Sequence, residues 1–120
     1  MKKLTDSEER IMQILWKMKR GFVKDVIEHM GDPKPAYTTV SSIIRILERK
    51  GFVDHKSYGP TYEYYPLIEK DEYKRRYLRA IVEEYFDNSY KQLVSFFATE
   101  KKLKKHDLVE IMKILKDGHE

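Results

Sequence analysis

The chain has 120 residues, enough for one domain or for one small domain plus an extension, and 41% of it is hydrophobic, which suffices for a core. Charged residues make up 37% and the net charge is +4, a mildly basic balance that permits nucleic-acid binding without demanding it. No cysteine is present, which excludes a disulfide scaffold, a thiolate metal site and a cysteine nucleophile together.

At the N-terminus, Thr5-Asp6-Ser7-Glu8 has the spacing of a capping box. Ile11, Ile14, Leu15 and Met18 then recur at helical spacing, with Trp16 at the core edge, and the helix is expected to end near Lys19-Arg20-Gly21. Phe22-Val23 reads as a short strand, and Val23 to Met30 as a second helix with Val26, Ile27 and Met30 inward. Gly31-Asp32-Pro33-Lys34-Pro35 is a loop by composition.

The next stretch is the most informative. Between Thr38 and Lys50, Val40, Ile43, Ile44 and Leu47 share one helical face, while Thr38, Thr39, Ser41, Ser42 and Arg45 fall largely on the other. Gly51 stops the helix. Phe52–Lys56 and Thr61–Tyr65 read as strands around a Tyr58-Gly59-Pro60 turn. A helix with small polar residues outside, followed at once by a hairpin, describes a recognition helix and wing. The expected fold is therefore mainly α with a small β wing: a winged helix-turn-helix domain over residues 1–66, then a helical dimerisation region over 67–120. The first part carries 12 Lys and Arg against 9 Asp and Glu, the second 12 against 11.

From Glu69 onward, Tyr73, Tyr77, Ile81, Tyr85 and Phe86 form a stripe supported by Leu78 and Val82. A break is expected near Asp87-Asn88-Ser89. Tyr90, Leu93, Val94, Phe96 and Phe97 follow on a second helix. A third, capped by Asp107, carries Leu108, Ile111, Met112, Ile114 and Leu115. Short helices with this many large apolar side chains need a surface to cover them, and a second copy of the chain is the simplest. The dimerisation residues so assigned are Tyr73, Tyr77, Ile81, Tyr85, Phe86, Leu93, Phe97, Leu108, Ile111 and Leu115.

Hydroxyls near a helix N-terminus can bond phosphates and base edges and touch thymine methyls. Thr38, Thr39, Ser42 and Arg45 are therefore the candidate DNA contacts of the helix. Lys56 and Thr61 flank the wing turn as candidate backbone contacts, with His55 and Ser57 behind them. Tyr62, Tyr64 and Tyr65 read as packing residues. His29, His55, His106 and His119 show no paired metal-helix spacing, so no metal and no cofactor is assigned. The acid pairs Glu8-Glu9 and Glu83-Glu84 are adjacent and read as solvated faces. No glycine-rich phosphate loop or serine elbow occurs, and no enzyme is expected. With no apolar leader and no long apolar run, the expected location is the cytoplasm, without membrane insertion.

These residues resemble a known family, the penicillinase-repressor (BlaI/MecI/CopY) transcription regulators. The likeness rests on LTDSEERIMQILW at Leu4 to Trp16, AYTTVSSIIRILERKGFV at Ala36 to Val53, the Gly59…Tyr64…Pro66 wing, and QLVSFFATEKKLKKHDLVEIMKIL near the C-terminus. The resemblance implies a homodimeric repressor on a pseudo-palindromic operator, with Thr38, Thr39, Ser42 and Arg45 in the major groove and Lys56 as a basic wing contact. Pro60 stands where the family often has Arg, which removes a contact there. The absence of cysteine speaks against copper sensing. In β-lactam-responsive members a membrane-bound sensor metalloprotease leads to cleavage at an Asn-Phe bond. The corresponding place here is Phe96-Phe97, which does not match that bond. Two other readings stay open from the residues themselves: a winged-helix protein–protein interaction module without DNA binding, and a regulator holding a small molecule among its C-terminal aromatics.

Overall fold

The computed structural model of the chain describes residues 4–101 and, beyond them, His106, Asp107, Val109, Glu110 and Lys113. It divides into two compact units, Lys2–Lys70 and Asp71–Glu120.

The first unit begins with helix α1, Asp6–Met18. Thr5 accepts from the Glu8 amide at 3.2 Å while Glu8 accepts the Thr5 amide at 2.8 Å, so the predicted capping box is present. Glu8 does more than cap. It is buried, 4% exposed, and both its oxygens accept from Lys50 Nζ at 2.8 Å. The reading of Glu8 as part of a solvated face is corrected here: Lys50, 42 residues away, supplies the positive charge that lets the carboxylate lie inside.

Strand β1 is only Gly21–Phe22. Val23 starts helix α2, Val23–Glu28, rather than extending the strand, because the Asp25 carboxylate accepts the Phe22 amide at 3.1 Å and opens the first turn. The helix ends two residues before Met30. There the His29 and Met30 amides bond three residues back, to the Val26 and Ile27 carbonyls, and tighten the last turn. Lys34 Nζ donates to the Met30 carbonyl at 2.9 Å, a cation at a helix C-terminus.

Helix α3 spans Tyr37–Arg49, with Val40, Ile44 and Leu47 fully buried and Ile43 half-buried. Its end is a Schellman motif. The Phe52 amide bonds the Leu47 carbonyl at 2.9 Å, the Gly51 amide bonds Glu48 at 3.0 Å, and Gly51 sits at φ +84°. Phe52 is thus spent on the cap, and strand β2 starts one residue later, Val53–Tyr58. Strand β3, Thr61–Pro66, returns after a two-residue turn, Gly59-Pro60. Gly59 has φ +63° and Pro60 a ring-fixed negative φ, the order a type II′ turn needs. The sheet order is β1-β3-β2, all antiparallel, with Tyr64 opposite both Gly21 and His55.

Ile11, Met12 and Leu15 of α1, Val26 of α2 and the inner face of α3 are fully buried, with Phe52, Val53 and Tyr64 closing the sheet side. Half-buried Trp16 donates its indole N–H to the Ile68 carbonyl at 2.9 Å. The fold is the expected mainly helical one with a small antiparallel wing.

In the second unit, helix α4 is Lys70–Tyr85 and α5 is Tyr90–Lys101. The expected break is real: Asp87 and Asn88 have φ +50° and +60°, and Ser89 Oγ accepts the Gln92 amide at 3.2 Å to start α5. Val82 and Leu93 are buried against each other, ringed by Leu78, Phe86, Tyr90 and Val94. His106 and Asp107 are both helical, so Asp107 lies within a helix and does not cap one. Leu108, Ile111, Met112, Ile114 and Leu115 lie outside the described residues. Among the described residues, no helix is long and apolar enough to cross a membrane.

Candidate nucleic-acid interface

Helix α3 presents its polar residues as the sequence pattern requires. At 100° per residue, Thr38, Ser42 and Arg45 fall within about 60° of one another, with Thr39 about 100° from Thr38. All four are exposed, and Ser41 is half-buried. Thr38 and Thr39 occupy the first turn, where unpaired amides and the helix dipole favour an anion. No acidic side chain stands in that turn to compete.

The hairpin stands beside this face. A groove of about 470 Å³ is lined by Lys24 and Asp25 of α2, Tyr37, Ser41 and Arg45 of α3, and Pro60, Thr61, Tyr62 and Tyr64 of the wing. It joins Arg45 to Thr61 of the predicted set. Thr61 Oγ1 donates to the Tyr58 carbonyl at 3.0 Å, so this hydroxyl also braces the turn.

Arg45 is not a free cation. Its guanidinium lies near enough to the Tyr64 hydroxyl to act on that group's pKa. Burial, and then the Glu48 carboxylate, push the Tyr64 phenol above its ordinary range, while Arg45 pulls the other way. The net effect keeps the phenol protonated.

Lys56 lies elsewhere. Strand alternation sends His55 and Tyr64 to one sheet face and Lys56 with Glu63 to the other. Lys56 packs over the Tyr58 ring at 5.4 Å and lines a second groove, about 640 Å³, with Trp16, Lys19, Arg20 and Tyr65. Of the predicted residues, Thr38, Thr39, Ser42 and Arg45 share the exposed side of α3, Arg45 and Thr61 share one groove, and Lys56 lines another.

Three groove residues, Tyr37, Lys24 and Asp25, carry no site assignment from the sequence. Tyr37, the first residue of α3, is 57% exposed, and Lys24 reaches the same groove from α2. A tyrosine beside a threonine pair gives no periodicity signal, and Lys24 is placed only by tertiary packing. Equally non-local is the group behind the wing: His55 stacks on Tyr62 at 4.2 Å and 19°, and its Nδ1 meets Glu48 Oε2 at 2.5 Å.

In the C-terminal unit, Tyr73 and Leu93 are buried, while Tyr77, Ile81 and Phe86 are half-buried. Tyr85 is 71% exposed, Phe96 50% and Phe97 40%. Phe96 and Phe97 sit in the middle of α5, so the bond between them is helical.

A family model described as penicillinase repressor matches residues 4–117. Over 113 residues the chain is 25% identical to the methicillin resistance regulatory protein MecI of Staphylococcus aureus strain N315, covering 93% of this chain and 92% of that protein. It is 22% identical over 115 residues to the penicillinase repressor of Bacillus licheniformis, covering 95% and 90%. The solution structure of the DNA-binding domain of the repressor BlaI superposes with a TM-score of 0.52 at 26% identity, over 61% of this chain and 94% of that one.

Proposed function

The chain belongs to the penicillinase repressor family, and we propose that it is a transcriptional repressor that binds a pseudo-palindromic operator as a homodimer. The observation that carries this reading is the exposed face of Thr38, Thr39 and Ser42 at the start of α3, beside a groove edged by Arg45 and the wing. Each protomer would place α3 in one major groove, with half-sites one or more helical turns apart. Thr38, Thr39 and Ser42 would read base edges or fix the register on phosphates. Arg45, which lines one groove with Tyr64, would meet phosphate or guanine. Lys56 would add a phosphate contact from the second groove.

Dimerisation is supported by the second unit's short supply of interior. Among the described residues, its core cluster has two buried members, Val82 and Leu93, while Tyr85, Phe96 and Phe97 face outward. Two helices with so small a core are marginal alone, and covering these aromatics with a second copy would stabilise both. Linking two DNA-binding units makes the second binding event intramolecular, so any event that separates the C-terminal helices would release the operator. Cleavage at Phe96-Phe97, following a membrane-bound sensor metalloprotease, is one such event. A protease needs extended chain, so this bond would first have to unwind from α5.

The test is an electrophoretic shift on the chain's own upstream promoter DNA, with excess competitor DNA and across a salt series. A competitor-resistant shift with two protomers per site, weakening steeply with salt, is the expected result. A salt-insensitive interaction with a protein and no specific shift would put the interaction-module reading in its place.

A further inference from the structure

Glu48 lies in the last turns of α3, and Asp54 and His55 lie at the start of β2. The three side chains meet where the recognition helix joins the wing, with one donor atom from each within 4.8 Å of the others. We propose that Glu48, Asp54 and His55 form a binding site for a zinc-type divalent metal ion that ties the wing to α3. The consequence for DNA rests on the repressor reading; the site itself does not.

The donor chemistry selects the ion. One imidazole nitrogen with two carboxylate oxygens suits the first-row divalent metals, whereas magnesium and calcium prefer all-oxygen sets. The geometry is close to what zinc needs. Zinc holds nitrogen and oxygen at roughly 2.0–2.2 Å, so tetrahedral neighbours stand about 3.4 Å apart. His55 Nδ1 is 2.5 Å from Glu48 Oε2 and 3.9 Å from Asp54 Oδ1, distances that bracket this value. Small side-chain rotations bring all three onto one ion, which would replace the proton between His55 and Glu48.

Two further features favour a dication here. Among the described residues, neither carboxylate is ion-paired with Lys or Arg, and His55 is the partner of both. Two acids therefore share one imidazole on an otherwise basic unit. The ring is also held in place, stacked flat on Tyr62 of β3, so little order remains to be imposed on binding. The side chains of Glu48 and His55 keep 28% exposure and that of Asp54 51%, which gives an ion access and leaves room for water as a further ligand. An ion there would lock β2 to the end of α3, and with it the position of the wing beside the hydroxyl face.

The full chain, stripped of metal with a chelator, is titrated with zinc chloride by calorimetry at neutral pH. One ion per chain is expected. His55→Ala and Glu48→Gln should each weaken binding at least tenfold, about the loss seen when a metal's supporting shell is damaged. His29→Ala, at the end of α2, should leave it unchanged. Circular dichroism melts establish that each variant folds, and Asp54→Asn repeats the test should either of the first two not. Binding only at millimolar zinc, or equal binding in all variants, overturns the site. Zinc should then tighten the promoter shift of the unsubstituted chain several-fold and leave that of Glu48→Gln unchanged. An unchanged shift in the unsubstituted chain overturns the tie to the wing. A chain that binds zinc and shifts no DNA counts against the repressor reading and leaves the metal site standing.

Discussion

Thr39 and Ser42 are exposed on the first turns of α3, so truncating them removes little from the fold. Thr39→Ala and Ser42→Ala should each weaken specific operator binding by about 1–3 kcal/mol while leaving non-specific binding unchanged. Fluorescence anisotropy on operator and scrambled duplexes separates the two, and equal losses on both would contradict base readout. Glu8 is the opposite kind of residue, buried and structural. Burial, the largest influence, raises its pKa, but the Lys50 bond and the Thr5 contacts together outweigh it and hold it below the usual carboxylate range. A lowered folded-state pKa stabilises above the unfolded-state value, and that contribution is lost as pH falls through the folded one. Glu8→Ala should therefore cost about 2–3 kcal/mol at neutral pH, and the difference from the unsubstituted chain should shrink below roughly pH 4, read by urea melts across pH. The capping role of Glu8 was legible in the sequence because its partner is three residues away. Its pairing with Lys50 was not, because only the packing of α1 against the end of α3 brings those charges together.

Among the elements, those built from chemistry close in sequence were legible, the wing hairpin β2–β3 included, whereas the extent of β1 was not. The capping box of α1, the apolar face of α3 and the glycine stop at Gly51 depend on residues within a turn or two of each other. Strand β1 has two residues and exists because β3 pairs with it, so its length could not be read from Phe22-Val23. The end of α2 shifted because its last turn tightens and the Lys34 ammonium closes it early, contacts that leave no mark on the apolar spacing. The Schellman motif at Gly51 also directs the chain from α3 into β2, so it sets the approach of the wing. Gly51→Ala places a Cβ at φ +84° and should destabilise by about 1–2 kcal/mol, measured by thermal melting. A Cβ there meets no atom within 4 Å. The cost is thus conformational, and Gly51→Asn should recover part of it, since Asn tolerates the left-handed region. An alanine variant as stable as the parent would show that the glycine is not needed for the turn.

Over the whole molecule, the two units pose different folding problems. The first closes a core from three helices and a sheet, and its candidate site follows from which α3 residues that core leaves outside. The sequence pattern could show that face, but not that Lys56 would fall on the other side of the sheet from Tyr64, since both are wing residues within reach on a linear reading. The second unit has α4 and α5 around Val82 and Leu93, and it leaves Tyr85 and Phe97 uncovered among its described residues. Leu93 and Phe86, two of the residues assigned to the dimer from sequence, already pack within their own chain. The outward aromatics are therefore the better probes of dimerisation. A carboxylate placed at Phe97 adds no clash inside the protomer, where the side chain is 40% exposed, but it would be expensive to bury unpaired in a dimer interface. Phe97→Glu should shift sedimentation from dimer to monomer at micromolar concentration without lowering helicity by circular dichroism. Because a monomer keeps only half of the phosphate contacts, the slope of log affinity against log salt should also fall by about half. A variant that stays dimeric would move the interface away from α5. One that becomes monomeric with an unchanged salt slope would mean that each DNA-binding unit acts alone, and that the C-terminal helices do not set operator affinity.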